Sequence, residues 1–277
     1  MPQVWFVTGS TRGLGRALVE AALQAGNQVA ATARNPEGLR DLVDAYGDAI
    51  RALPLDVTDE SAAQAAVETA RAAFGRIDVV VNNAGYGTVG SVEDTNLAAF
   101  RREIETNLFG TIVVTKAAIP ILRSQRSGHI IQFSSVGGRI GAPGRAPYSA
   151  AKWGVEGFSE SLAREMALIG VSVTIIEPGG FRTDFAGAST TLNPGRSEYD
   201  AVIGATARMQ RDYSGRQPGD PRRAAAVILQ VAAMTEPPLR LALGSDAVNA
   251  IENTDRARLD ELQRWRELSI STDFPKA

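Results

Sequence analysis

The sequence predicts an α/β protein: one doubly wound domain with a mostly or wholly parallel central sheet and helices on both faces. Three observations carry that prediction. Continuous apolar runs such as Val4-Trp5-Phe6-Val7 and Ile130-Ile131-Gln132-Phe133 suit strands covered on both faces, which need no polar alternation. Between such runs lie segments whose apolar residues recur at helical spacing, so strand and helix alternate along the chain. Finally, 277 residues with 44% hydrophobic content can bury one sizeable core, and no repeat or linker divides 1–277.

The first strand, Val4 to Val7, runs into Thr8-Gly9-Ser10-Thr11-Arg12-Gly13-Leu14-Gly15. Three glycines between a buried strand and a helix starting near Leu14 permit a tight turn. They also let backbone amides approach a pyrophosphate at the helix's positive end. Strand, glycines and helix in that order read as a dinucleotide cradle. Gly26 ends the helix and Gln28 to Thr32 forms the second strand. Where NAD-binding units commonly place an acid for the ribose hydroxyl, this chain has Ala33 and then Arg34, suited to a 2′-phosphate. A helix from Pro36 to about Tyr46 and a strand from Ile50 to Leu53 lead to Asp56-Val57-Thr58. Thr58 is expected to cap the next helix, whose Ala63, Ala66, Val67, Ala70 and Phe74 make a packing stripe. Ile77 to Val81 is the fourth strand, and Asn82-Asn83-Ala84-Gly85 follows where parallel sheets place their ligands.

A longer helical stretch contains Asn107 and ends near Leu122. The strand Ile130 to Phe133 then delivers Ser134 and Ser135 to its carboxyl end. In Tyr148-Ser149-Ala150-Ala151-Lys152 the four-residue spacing sets Tyr148 and Lys152 on one helix face, a turn apart. A free phenol titrates near pH ~10, and an adjacent ammonium lowers that value, which makes Tyr148 a usable acid or base. Val171 to Ile176 supplies another strand, closed by Glu177-Pro178-Gly179-Gly180. The segment 181–219, with Gly, Pro, Ser and Thr around a short helix near Tyr199 to Arg211, is expected to be a lid anchored by Phe185, Tyr199, Met209 and Tyr213. A helix from Pro221 to Met234, a strand from Leu239 to Leu243 and an amphipathic helix over about 247–269, with Ile251, Leu259, Leu262 and Trp265, close the chain.

Composition excludes several function classes. Net charge is -2 with acids and bases interspersed, so no electrostatic footprint for nucleic acid is expected. The chain has no cysteine, which rules out disulfides and thiolate sites. His129 is the one histidine and reads as structural, at the start of a strand. The longest apolar run, Ala224 to Met234, is interrupted by Gln230 and falls short of the ~20 residues a membrane span needs. Met1-Pro2-Gln3 leads straight into a strand without a signal-like core. These readings point to a cytoplasmic protein with no membrane partner.

Gly9-x-x-x-Gly13-x-Gly15, Asn82-Asn83-Ala84-Gly85 and Tyr148-x-x-x-Lys152, in that order, resemble the classical short-chain dehydrogenase/reductase family over nearly the whole chain. The resemblance implies a Rossmann domain that moves a hydride between NAD(P) and an alcohol or carbonyl. It implies Tyr148 as proton donor and acceptor, Lys152 as the group that lowers its pKa and holds the nicotinamide ribose, and Ser135 as the hydrogen-bond partner of the substrate oxygen. The interval from Ser135 to Tyr148 matches the family better than that from Ser134. Asn107 corresponds to an asparagine that holds a relay water. Thr8, Gly9, Ser10, Thr11, Arg12, Gly13, Leu14 and Gly15 correspond to the pyrophosphate turn, with Arg12 a second phosphate partner beside Arg34. Asp56 and Val57 correspond to adenine contacts, Asn83, Ala84 and Gly85 to the supporting loop, and Pro178, Gly179 and Thr183 to the nicotinamide end. Trp153, after the lysine, departs from the family, whose members usually carry something smaller there. The expected activity is reduction of a small, hydrophobic carbonyl compound, or oxidation of the alcohol, with NADP(H) preferred and NAD(H) the alternative, in a homodimer or homotetramer. A catalytically idle dinucleotide sensor or scaffold is the competing reading, which the retained Ser135, Tyr148, Lys152 and Asn107 oppose.

Overall fold

Seven parallel strands form the centre of the computed structural model, which describes residues 2–187, 190–193 and 195–274. Along the chain run β1 (Val4–Thr8), α1 (Gly13–Gln24), β2 (Gln28–Ala33), α2 (Arg40–Tyr46), β3 (Ile50–Pro54), α3 (Glu60–Phe74) and β4 (Val79–Asn82). A short β5 (Gly87–Val89) precedes α4 (Leu97–Ile104), α5 (Gly110–Gln125), β6 (Gly128–Phe133), α6 (Ala146–Ala167) and β7 (Val171–Pro178). The remainder is β8 (Thr190–Leu192), α7 (Ala205–Tyr213), α8 (Pro221–Ala232), β9 (Arg240–Leu243), α9 (Ser245–Arg264) and α10 (Arg266–Ile270). The sheet order is β3-β2-β1-β4-β6-β7-β9, wholly parallel, with Val7 opposite both Ala31 and Val81. Strand order reverses between β1 and β4, and the crevice there, at the carboxyl ends, is where such sheets bind ligands.

Both faces of the sheet are covered, which is why its strands are apolar throughout. Val7, Val29 and Val81 face α1 and α8 and pack with Leu18, Val19, Ala22, Ala225 and Ile228. Phe6, Ala30 and Val80 face the other layer, with Val67, Ala70, Val114, Ala118, Leu122, Leu162 and Met166 from α3, α5 and α6. His129 is 5% exposed and its Nε2 lies 2.9 Å from Thr174 Oγ1. Thr174 donates its own proton to the Pro238 carbonyl, so His129 must carry its proton on Nε2.

Four expectations need correction. Asp59, not Thr58, caps α3: its carboxylate accepts from the Ala62 amide at 2.9 Å, while Thr58 donates to Asp56. The helical stretch holding Asn107 is interrupted, since α4 and α5 meet through a π turn at Glu105–Phe109. By length and composition Leu97–Gln125 is apolar enough to cross a membrane, with a mean hydropathy of 1.2. Its scattered charges hid this from a search for an unbroken run, and its Val114, Ala118 and Leu122 pack in the core. Third, Ile251 of α9 is buried, but Leu259, Leu262 and Trp265 are 55%, 61% and 49% exposed. Periodicity reveals that a helix has an apolar face, not what covers it.

The fourth correction concerns the lid. Its helical part is a 3-10 turn (Ser197–Tyr199), a π turn (Asp200–Gly204) and α7. Met209 and Tyr199 are exposed, the latter bonded to Glu93, and the anchoring falls instead to Ile203 and Ala207 against Val89. Phe185 does turn inward, and β8 pairs in parallel with β5. Those two three-residue strands are too short to show a period. At the neck, Phe181 bridges Gly219, the Arg182 amide donates to the Gly219 carbonyl, and the Gly219 amide donates to the Gly180 carbonyl. Residues 188, 189 and 194 of the expected lid lie outside the described residues.

Candidate active site

β6 ends at Phe133 and the chain stays extended through Ser135, whose hydroxyl accepts from the Gly137 amide at 3.0 Å and starts a tight turn. Pro147 sits in the first turn of α6, where its missing N–H costs nothing, and brings Tyr148 in immediately behind it. A Cβ on Gly137 would lie 3.0 Å from Tyr148 Cε1 and 3.5 Å from Ser135 Oγ, so the phenol ring and the serine flank one backbone point. Ser134 turns the other way and is buried beside Glu156, near Gly138. One turn into α6, Lys152 is 4% exposed; its ammonium lies 5.9 Å from the Tyr148 ring centre and donates to the Phe133 carbonyl at 2.7 Å.

The electrostatics differ from the expectation. Burial pushes the Tyr148 phenol above its ordinary pKa, opposed by a hydrogen bond from Ser135 and the positive charge of Arg145, with the Glu103 charge adding to burial. The cation favouring the phenolate is thus Arg145, while Lys152 is turned onto a carbonyl. Burial also pushes Lys152 down to about 8, with Glu156 opposing. Glu103, fully buried on α4, accepts from the Thr88 hydroxyl at 2.6 Å, and burial pushes its carboxyl up. Asn107 sits in the π turn with no exposed surface, and its amide is engaged in both directions with Tyr86, accepting from that amide and donating to that carbonyl. A Cβ on Gly85 would meet Asn107 Oδ1 at 2.5 Å and Lys152 Nζ at 3.8 Å, which sets Asn107 beside the lysine with its side chain occupied as a brace.

At the glycine turn, Gly9 and Gly13 have φ of +69° and +61°, conformations that side chains resist. A Cβ on Gly15 would strike the Gly9 carbonyl oxygen at 2.3 Å, so this glycine is what lets α1 start directly beneath the loop. The Thr8 hydroxyl accepts from the Asn83 and Ala84 amides, and the Asn83 side chain donates to the Thr8 and Gly9 carbonyls. Asn83 therefore braces the turn. The start of α1 has no side-chain cap and no acid in its first turn, leaving amides and a positive dipole end for an anion. Arg34 and Arg12 are both exposed beside it and form no ion pair among the described residues. Asp56 is exposed, with Val57 buried next to it. Thr183 leans over Gly13 at 3.4 Å from a Cβ placed there, and Asp246 accepts from the Gly180 amide at 2.7 Å and lies against Gly179, just past Pro178. The set fits a dinucleotide along the strand ends.

A model of the short chain dehydrogenase family matches residues 3–193. The chain belongs to that family. It is 47% identical over 273 residues to Oxidoreductase BOA17 of Botryotinia fuckeliana, covering 98% of this chain and 100% of that one. The crystal structure of a short-chain dehydrogenase from Streptomyces avermitilis superposes with a TM-score of 0.93 at 40% identity, covering 99% and 100% of the two chains. A metagenomic short-chain oxidoreductase in complex with NADP gives 0.69 at 26% identity, covering 87% and 96%. As a short-chain dehydrogenase the protein is an oxidoreductase that acts on CH–OH and C=O groups with NAD(P).

This dehydrogenase holds polar groups that the sequence reading passed over. Arg145 lies three residues before Tyr148 and Glu103 four before Asn107, separations at which side chains in a helical stretch come near one another and which could have flagged both. Asp246 and Gln210 gave no comparable signal, because only the fold returns them to the site. Trp153 is 45% exposed, with the Arg258 guanidinium 4.8 Å from its ring centre.

Proposed function

We propose that this short-chain dehydrogenase is an NADPH-dependent carbonyl reductase, able to run in reverse as an alcohol dehydrogenase, with Tyr148 as its proton donor and acceptor. The observation that carries the reading is the setting of Tyr148: a nearly buried phenol beside Ser135, with Lys152 one helical turn on, at the strand ends where the family binds its cofactor. When bound, NADPH supplies the hydride. Tyr148 gives its proton to the carbonyl oxygen, and its raised pKa keeps that proton in place until negative charge develops there. Ser135 donates a hydrogen bond to the same oxygen as it becomes charged. Lys152 holds the nicotinamide ribose and contributes positive charge near the phenol; Asn107 positions it through Gly85 and Tyr86. Arg34, helped by Arg12, pairs with the 2′-phosphate, and Ala33 puts no acid against it. A neighbouring fold solved with NADP supports this choice over NAD.

The segment 181–219 closes over substrate as a lid, its neck pinned by the Phe181–Gly219 bridge. The exposed Leu259, Leu262 and Trp265, continued by Leu268 and Ile270, support assembly into a homodimer or homotetramer. The experiment for the activity is NADPH absorbance with a panel of ketones, aldehydes and alcohols. Oxidation of NADPH by one or more carbonyl compounds is expected; a panel of broad chemistry that leaves NADPH and NADP+ untouched would defeat the reading.

A further inference from the structure

Arg145 stands at the start of α6, and one backbone point fixes its reach. A Cβ on Gly87 would lie 3.1 Å from Arg145 Nη1, 3.4 Å from Phe185 Cζ and 3.6 Å from Tyr148 Cδ2. The guanidinium, the lid's aromatic ring and the phenol therefore converge over the first residue of β5. Phe185 also packs on Tyr148 directly, with ring centres 5.6 Å apart. Arg145 Nη2 donates to Gln210 Oε1 on α7 at 2.6 Å, but Nη1 is sealed from solvent without a hydrogen-bond partner. No carboxylate forms an ion pair with Arg145 among the described residues; Glu103 acts on it from farther off, its oxygens bonded to Thr88. A guanidinium keeps its proton in proteins, so this site retains a sheltered positive charge with one donor unused, at a cost in stability. Sheltered, unpaired charge beside a reactive group marks a place for a ligand.

We propose that Arg145 anchors a carboxylate carried by the substrate, so that the carbonyl compounds taken by this site are oxo acids with an otherwise apolar skeleton. The fork of a guanidinium matches the two oxygens of a carboxylate. Gln210 offers the fork a single neutral oxygen; a carboxylate takes both positions and supplies the missing negative charge. A neutral ketone does neither. Phe185 brings apolar surface to the same point, and two residues along β5 Val89 packs with Ile203 and Ala207 in a small buried cluster. Because Gln210 belongs to the lid helix, the exchange also couples arrival of the acid to movement of α7. The inference rests on the reading of Tyr148 as proton donor, since the anchor's use is to hold the carbonyl at that phenol.

Two measurements keep the inference and that reading apart. The first is calorimetric titration of the NADP+-bound protein with benzoate, phenylacetate and 3-phenylpropionate and with the three corresponding amides. At least one carboxylate should bind about ten- to a hundredfold more tightly than its amide, the range for a hydrogen bond to a charged group. Arg145→Met should erase that difference, and Arg145→Lys, which keeps the charge and loses the fork, should restore only part of it. Acids and amides of equal affinity across the wild-type series would overturn the anchor, as would a preference that survives in Arg145→Met. Should Arg145→Met not fold, the wild-type series decides alone. The second is NADPH oxidation with an aryl oxo acid and its methyl ester, where the acid should show the lower KM. Acid-selective binding alongside a broad carbonyl panel, these two compounds included, that leaves NADPH untouched would defeat the reductase reading and leave the anchor standing; turnover of both with equal KM would overturn the anchor.

Discussion

The nucleotide turn and the substrate pocket share one end of the sheet, yet they are finished to different degrees. At the turn, hydrogen bonds close on the chain itself: Thr8 holds two amides of the Asn83 loop, Asn83 holds two carbonyls of the turn, and Ser10 donates to Val7. What it leaves open is a row of helix-start amides, which any dinucleotide phosphate can use. On the substrate side, Arg145 Nη1 is buried without a partner, and β5 and β8 have three residues each. Internal bracing of the loop gives a general cradle, even though Thr32 Oγ1, next to Ser10 of the turn, is buried without a partner. Incomplete satisfaction leaves the specificity to whatever ligand completes the pocket.

Substitutions can break that comparison at either end. The largest effect is expected at the junction of the halves. Tyr148→Phe should lower turnover by about 10² to 10⁴, the usual share of a general acid, while leaving the NADPH dissociation constant nearly unchanged. Lys152→Met should lower both rate and NADPH affinity, as the role proposed for that residue in both halves requires. Steady-state rates and fluorescence titration with NADPH check the pair, and loss of cofactor affinity in Tyr148→Phe would erase the separation.

A smaller effect, confined to the cradle, is expected from Arg34→Ala. NADPH affinity should fall by roughly one to two powers of ten, matching the loss of a charge-assisted hydrogen bond, with NADH affinity held. Equal loss for both cofactors in the same titration would show that the 2′-phosphate is not read there.

A further effect, on stability rather than on rate or affinity, lies outside both halves. Burial pushes His129 down to about 4 from 6.5, so the unfolded chain binds a proton in that interval that the folded chain refuses. The unfolded state thus holds more protons, and stability must fall as pH drops from about 6.5 toward 4. Between pH 7 and 5 this group should remove roughly 2 kcal/mol of stability. Denaturant midpoints at the two pH values should differ by less in His129→Gln than in wild type.

Much of this was readable from the chain because its causes are local or periodic. Burial on both faces writes the sheet as unbroken apolar runs, and a turn that must approach phosphate writes itself as Gly9, Gly13 and Gly15. The Tyr148 and Lys152 pair follows from one helical turn. The rest depends on what the fold returns to those places. The pKa of Tyr148 rises, against expectation, because Lys152 turns to the Phe133 carbonyl and burial prevails. Arg145 looks like an ordinary exposed arginine until β5 and α7 are laid over it. Asp59 displaces Thr58 because its carboxylate reaches the Ala62 amide. The apolar face of α9 was legible, but its exposure was not, since Ile251 alone among its named residues reaches the core.

Amide hydrogen exchange tests the central contrast most directly, comparing the free protein, the NADP+ complex and the non-reacting complex of NADP+ with a carbonyl compound that the enzyme reduces. NADP+ alone should slow exchange at residues 9–16, and residues 195–219 should slow only when the carbonyl compound is added. A lid protected to the same degree in the free protein as in the ternary complex, or protected fully by NADP+ alone, would contradict the account.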